Sequence, residues 1–254
     1  MISIKVDPHT HTLASGHAFS TISENAIFAK EKGLEAIAMT DHFGFMYHRN
    51  KEASLMGVVP TMNMPALPKV IHDVRILAGT EIDIIDFDGN LAGHDLKGWI
   101  PDKSFADTLL DSREVAIASV HGFPGHTEGT IMQNTKMLCT VAANPKIDII
   151  GHPTRNGLSF EIDEVLKVAK QSGCMMEINE HSFDFDEETI KQCRNLAIRC
   201  AELGVSVVVG SDAHSAFYIG DFTRALAMLE EINFPEELVA NVSLDRLLNR
   251  VARA

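Results

Sequence analysis

No apolar run in the 254 residues approaches the roughly 18 needed to cross a bilayer, which argues against a transmembrane segment. The opening MISIKVDPH carries neither a basic stretch nor an apolar one, so no secretory signal is expected. Cysteine is scarce: Cys139, Cys174, Cys193 and Cys200 include no C-x-x-C pair. They read as buried apolar thiols rather than metal ligands or a disulfide, which fits a reducing, cytoplasmic compartment. Basic residues are also few, 22 Lys and Arg against 35 Asp and Glu, for a net charge of −13. A nucleic-acid partner is therefore not expected, because such binding rests on Lys and Arg neutralising phosphates. An anionic membrane surface is equally unpromising. No glycine-rich phosphate loop follows the first expected strand, which removes support for a dinucleotide-binding fold. Repeats, linkers and low-complexity tracts are missing too, so residues 1–254 are expected to form a single domain.

What is present is a rhythm. Short β-branched or apolar runs occur at 2–6, 35–39, 76–79, 115–120, 147–150, 174–178 and 205–209. Most are separated by helical patterns, at 131–143, 164–172, 187–203, 222–232 and 244–252, after a first helix opened by the Thr21/Glu24 capping box and stopped at Gly33. Asp88-Gly89 is a hairpin-turn signal without the further acids of a calcium loop. The alternation predicts an α/β fold with a parallel sheet and right-handed crossovers. An open sheet and a closed barrel both satisfy it. The stretch 43–64, rich in Met and aromatics, is the one long segment without a periodic pattern.

Three of the twelve histidines fall within one short run, VDPHTHTLASGH. His9 and His11 share one side of an extended segment, and neutral imidazole is the commonest protein metal ligand. Similar residues follow the later strands. TDH brings His42, TE brings Glu81, VHG brings His121, GHP brings His152, EIN brings Glu177 and Asn179, and GSDAH brings Asp212 and His214. Singly, each has an ordinary explanation in a cap, a turn or a surface acid. Together they place His9, His11, His17, His42, Glu81, His121, His152, Asp212 and His214 at strand ends, which in a barrel share the face where active sites form. Zinc takes three or four protein ligands, so this set implies two or three ions. Imidazole dominance favours Zn, with Mn or Fe as alternatives. Asp7 and Asp41 adjoin ligand histidines and are expected to orient their rings. His48, His72, His94, His126 and His181 show no such placement, although His48 and His126 are positioned to overhang the site.

The motifs DPHTHTLASGHAFST, AMTDH, GTEID, ASVHG, IIGHP, EINEHSF and VVVGSDAHSAFYIGDF, with NFPEELVANVSLDRLLN near the C-terminus, resemble the PHP (polymerase and histidinol phosphatase) family. The resemblance spans essentially the whole chain and is closest to the stand-alone YcdX-type zinc phosphatases. It implies a distorted TIM-like (β/α)7 barrel with a trinuclear metal centre at the C-terminal ends of the strands. Carried onto this sequence, His9, His11, Glu81 and Asp212 would hold one metal. Glu81 would bridge to a second held by His121 and His152, and His17, His42 and His214 would hold the third. Three divalent ions against Glu81 and Asp212 leave about +4 formal charge, enough to draw in a small phosphorylated substrate. Glu81 and Asp212 would hold a metal-bridged hydroxide for in-line attack on a phosphomonoester. One departure matters: relatives commonly carry a basic residue after EIN, whereas HSFDFDEE is acidic. Arg155 is the nearest basic candidate for the phosphate, with Asn179 beside it in expectation.

Two rival readings share these residues. One is a phosphodiesterase or 3′–5′ exonuclease, which a basic groove would favour and which the acidic composition disfavours. The other is a non-catalytic metal-binding regulatory module, which the intact ligand set disfavours. An amidohydrolase would bring a bridging lysine to a strand end, and none is placed there. A homo-oligomer is compatible with the sequence, and the physiological substrate is not encoded legibly. Phe45 and Met46 are the expected specificity residues.

Overall fold

A computed structural model describes residues 2–44 and 62–251. Phe45, Met46 and His48 lie outside the described residues. The strands are β1 (Val6–Thr10), β2 (Ala36–Met39), β3 (His42–Phe43), β4 (Val70–Ile71), β5 (Val74–Asp83), β6 (Val115–Ser119), β7 (Ile149–Ile150), β8 (Met175–Asn179) and β9 (Val207–Gly210). The path β1-β2-β5-β6-β7-β8-β9 is parallel at every step. β3 continues β2: Met39 pairs with Ala78 and His42 with Glu81, so the register is unbroken across Thr40-Asp41. A bridge between Thr10 and Ala213 brings the last strand's end back to the first. The result is a nearly closed, TIM-like barrel. Among the described residues seven α-helices accompany it: α1 (Ile22–Glu31), α2 (Phe105–Leu110), α3 (Ile131–Ala142), α4 (Ile162–Ser172), α5 (Glu187–Leu203), α6 (Thr223–Glu231) and α7 (Leu244–Val251). None of the described helices is long and apolar enough to cross a membrane.

The expected first strand at 2–6 is displaced. Its ladder partner starts only at Ala36, so pairing begins at Val6 and the strand is VDPHT itself. Pairing shifts by one residue between Asp7 and Thr10, a bulge that contains Pro8, where the missing N–H costs no ladder bond. Helix α2 was not expected. It is six residues long, too short to show periodicity, but Ser104 accepts a bond from the Asp107 amide at its start.

Two apolar clusters follow from strand alternation. Val6, Ala38, Leu77, Ile117, Met175 and Val208 point inward, and Leu247 and Val251 of α7 plug the floor. The alternate residues, such as Ile37, Ile76, Ala116, Met176 and Val207, face the helices. The inward parity then delivers polar groups above the floor: Leu77 leads to Glu81 and Asp83, Ile117 to His121, Met175 to Glu177, and Val208 to Asp212. On β1 the bulge switches the parity, so that His9 and His11, rather than their neighbours, take the inward positions.

The seam between β1 and β9 is filled by one side chain. Asn241, fully buried, donates to the carbonyls of Val6 (2.8 Å) and Val209 (2.7 Å) and accepts from the Val209 amide (3.0 Å). Higher up, the Asp212 amide donates to His9 O and the His11 amide to Ala213 O, both at 2.9 Å.

Candidate metal centre

The inward groups converge on Glu81, which is fully buried. Its oxygens lie 2.8 Å from His42 Nδ1, 2.9 Å from His152 Nε2, 3.3 Å from His121 Nε2, 3.4 Å from His9 Nε2 and 3.5 Å from His11 Nε2. Asp212 Oδ1 stands 3.1 Å from His11 Nε2 and 3.5 Å from His9 Nε2. Ligand-type atoms gather as His9–His11–Glu81, as Glu81–His121–His152 and as His11–His42–His214. His17 joins the last from the rim, its Nε2 3.0 Å from His214 Nε2. Asp212 and His152 sit at φ +56° and +28°, a region most side chains avoid. The bonds from the Asp212 amide to His9 O and from the His152 amide to Glu177 Oε2 (2.8 Å) hold them there.

The far nitrogens of the rings explain their orientation. His9 Nδ1 bonds Glu177 Oε1 at 2.7 Å and His121 Nδ1 bonds Asp83 Oδ1 at 2.7 Å. His214 and His17 donate Nδ1–H to backbone carbonyls, of Asp212 at 2.9 Å and Ser15 at 3.1 Å. His11 Nδ1 donates to Ser15 Oγ (2.9 Å), whose own hydroxyl donates to Asp41 (2.6 Å). Sequence reading had not assigned ring-orienting roles to Glu177, Asp83 and Ser15. Two of them carried a signal, since a carboxylate on the inward parity of an apolar strand needs a partner. Gly210 belongs to this arrangement, because a Cβ there would collide with Glu177 Oε1.

Four placements depart from the sequence-based picture. Asp41 reaches the His11 ring through Ser15. Asp7 accepts the amides of Ser211 (3.1 Å) and Gly220 (3.0 Å), tying β1 to the segment after β9 rather than turning an imidazole. Arg155, expected at the substrate's phosphate, is buried and bonds Asp212 Oδ2 (2.8 Å), Ser182 Oγ (2.9 Å) and Asn179 Oδ1. Asn179 is fully buried, and its amide nitrogen points to the same Asp212 oxygen at 3.4 Å. Both residues therefore brace Asp212 from behind.

The donor set fits divalent cations. His17 and His214 each donate Nδ1–H to a carbonyl, so in their neutral forms two Nε2 lone pairs face each other at 3.0 Å, an opposition that a cation between them resolves. His9 Nε2 and Glu81 Oε2 are buried atoms without hydrogen bonds, and such groups are costly unless something coordinates them.

Charge is divided unevenly among the rings. Burial lowers His11, His152 and His214, and it lowers His17 to about 4 with the help of His42 and His214. Burial also pulls His9 and His121 down, but the carboxylates reverse the outcome. Glu177, Asp212 and Glu81 hold His9 well above its ordinary value, and Glu81 and Asp83 do so for His121. Burial opposes ionisation of Glu81, yet His121, His9 and His42 keep it well below the usual carboxylate range. Asp212 likewise stays ionised against burial, chiefly through His9. In the metal-free protein at neutral pH, His9 and His121 thus carry protons and the lowered rings do not. A ligand must be deprotonated, so metal uptake at pH 7 is expected to release about two protons. Affinity should rise with pH and flatten once both raised values are passed. Titration calorimetry in buffers of different ionisation enthalpy measures the release, and zero release would contradict this charge pattern. The two protonated rings also stabilise the metal-free fold below their unfolded pKa, a contribution lost as pH rises through the folded values.

The chain is similar to known proteins over most of its length. The PHP domain model matches residues 7–181. A probable phosphatase of Caldanaerobacter subterraneus subsp. tengcongensis is 39% identical over 97% of this chain and 90% of its own length. Another, from Clostridium novyi, is 34% identical over 96% and 92%. Among solved structures, histidinol phosphate phosphatase from Lactococcus lactis, complexed with zinc, L-histidinol and phosphate, superposes with a TM-score of 0.60 at 18% identity, covering 91% of this chain and 94% of that one. With relatives named as phosphatases matching nearly end to end, this chain is a metal-site hydrolase and belongs to the PHP domain family.

Proposed function

We propose that the protein hydrolyses phosphomonoesters at a centre of three divalent ions, with zinc favoured by its imidazole-rich ligands. The ions would be held by His9, His11, Glu81 and Asp212, by Glu81, His121 and His152, and by His17, His42 and His214. The observation that carries the reading is the convergence of these groups on Glu81 at the top of the barrel. Such ions, when bound, supply Lewis-acid charge and a water of lowered pKa. The chain supplies the rest. Against Glu81, Asp212, Asp83 and Glu177, three divalent ions leave the centre positive by about two charges, fewer than Glu81 and Asp212 alone suggest, but still attractive to a phosphate dianion. Asp83 and Glu177 fix two rings, and Arg155 fixes Asp212.

Monoesters suit the surroundings better than nucleic acid. A cavity of about 310 Å³ adjoins Asp212 and His214, and its wall includes Glu180, Asp184 and Asp221 with Arg224. It has room for one modest leaving group, and its acids repel a polyanionic strand. The zinc and phosphate in the Lactococcus lactis complex agree with this chemistry.

The test is paired turnover of p-nitrophenyl phosphate and bis(p-nitrophenyl) phosphate after zinc or manganese loading. Monoester hydrolysis should dominate and disappear in His214→Ala. Preference for the diester would replace this reading with a nuclease-like one.

A further inference from the structure

The sequence pattern did not group His181 with the ligand-type histidines. The fold places it on the wall of the cavity that Asp212 and His214 also line. It belongs to a short 3-10 turn, Glu180–Asp184, directly after β8. Its Nδ1 bonds Asp184 Oδ2 at 2.8 Å. Asp184 is itself held, since Arg224 Nη1 donates to its other oxygen at 2.6 Å. Arg224 is fixed in turn by Glu180, which accepts from Arg224 Nε (2.7 Å) and from the amides of Arg224 (3.0 Å) and Ala225 (2.8 Å) at the start of α6. The ring of Phe185 packs against His181 edge-on, with centroids 5.7 Å apart. Two elements thus cooperate to aim one half-exposed imidazole.

A carboxylate on Nδ1 fixes the ring's orientation and leaves Nε2 as the working atom. From these contacts we infer that His181 is the proton donor to the leaving group, oriented by Asp184 and Arg224. This rests on the phosphomonoesterase reading above. As water's oxygen bonds to phosphorus, the bond from phosphorus to the ester oxygen breaks and its electron pair stays on that oxygen. The Nε2–H proton of His181 passes to it, releasing a neutral alcohol. The neutral ring then regains a proton from solvent. Glu180, Asp184, Asp212 and Asp221 line the same cavity, with Arg224 and His214.

The experiment compares two monoesters in the metal-loaded enzyme. p-Nitrophenolate leaves without a proton, whereas the alkoxide of glycerol phosphate does not. His181→Ala should lower kcat on glycerol phosphate by about 10²-fold or more, within the usual range for acid catalysis. The loss on p-nitrophenyl phosphate should be at least about tenfold smaller. The basic limb of the wild-type pH profile on the alkyl ester should vanish in the variant. Asp184→Asn should show the same selectivity in weaker form. Metal content and thermal unfolding report whether the centre and fold are retained, which half-exposure of the ring favours. In the metal-free protein, the imidazole ¹⁵N shifts of His181 should show Nδ1 protonated, and Asp184→Asn should alter them. Equal losses on both esters, no loss on either, or an unprotonated Nδ1 would overturn the assignment while leaving the phosphatase reading intact. A wild type active on neither ester overturns both.

Discussion

Glu81→Gln is expected to lower phosphatase turnover by about 10³-fold or more and to leave the centre short of metal. Five imidazoles surround this carboxylate within 3.5 Å, and no solvent reaches it. An amide of the same shape removes the charge and turns an NH2 toward ring nitrogens that need a cation. Removing one member of a buried charged set typically costs about 3–5 kcal/mol, which sets the scale of the loss. Inductively coupled plasma mass spectrometry of the purified variant, alongside kcat on p-nitrophenyl phosphate, measures both effects. Wild-type metal content together with wild-type turnover would show that Glu81 does not bridge the ions.

Arg155→Ala should be the next most damaging change, for a reason that differs from substrate binding. The guanidinium joins Asp212, Asn179 and Ser182 in a buried fork, with Phe185 packed over it at 5.1 Å. Without it, Asp212 keeps a buried oxygen with only a 3.4 Å contact from Asn179. Metal affinity is expected to fall 10–100-fold, the usual effect of removing a group behind a ligand. Stability should fall by about 3–5 kcal/mol as well. Arg155→Lys should rescue little, because an ammonium cannot serve three acceptors in a planar fork. Metal titration and thermal unfolding decide the matter. A raised KM with normal metal content and melting temperature would mean that Arg155 does grip the phosphate.

Much of the fold was legible because the seven strands and most helices carry unambiguous alternation, and the ligand-type residues lie at the strand ends. What escaped had physical causes. The first strand is read at 2–6 because Pro8 and His9 break the apolar β pattern beyond Val6, yet a bulge accommodates both. Glu177 and Asp83 were within reach, since their spacing from Met175 and Leu77 puts them on the barrel's inner face. The buried partners of Arg155 could not be read, because Asn179, Ser182 and Asp212 come from distant positions that only the closed barrel brings together. His181 lies on a turn with no period at all, and its significance comes from Arg224 in another element.

The seam closed by Asn241 and by residues 9–11 against 212–213 joins parts of the chain some two hundred positions apart, as the separation of 201 between His11 and Asp212 shows. Bringing such ends together costs about 5 kcal/mol of chain entropy on the logarithmic scale for flexible loops. Under the proposed ligand set, ions held by His9, His11 and Asp212 would act as a removable cross-link between the first and last strands of the barrel. Loading the centre would then resemble adding a long-range disulfide: it would tie β1 to the segment after β9, and a chelator would unfasten it.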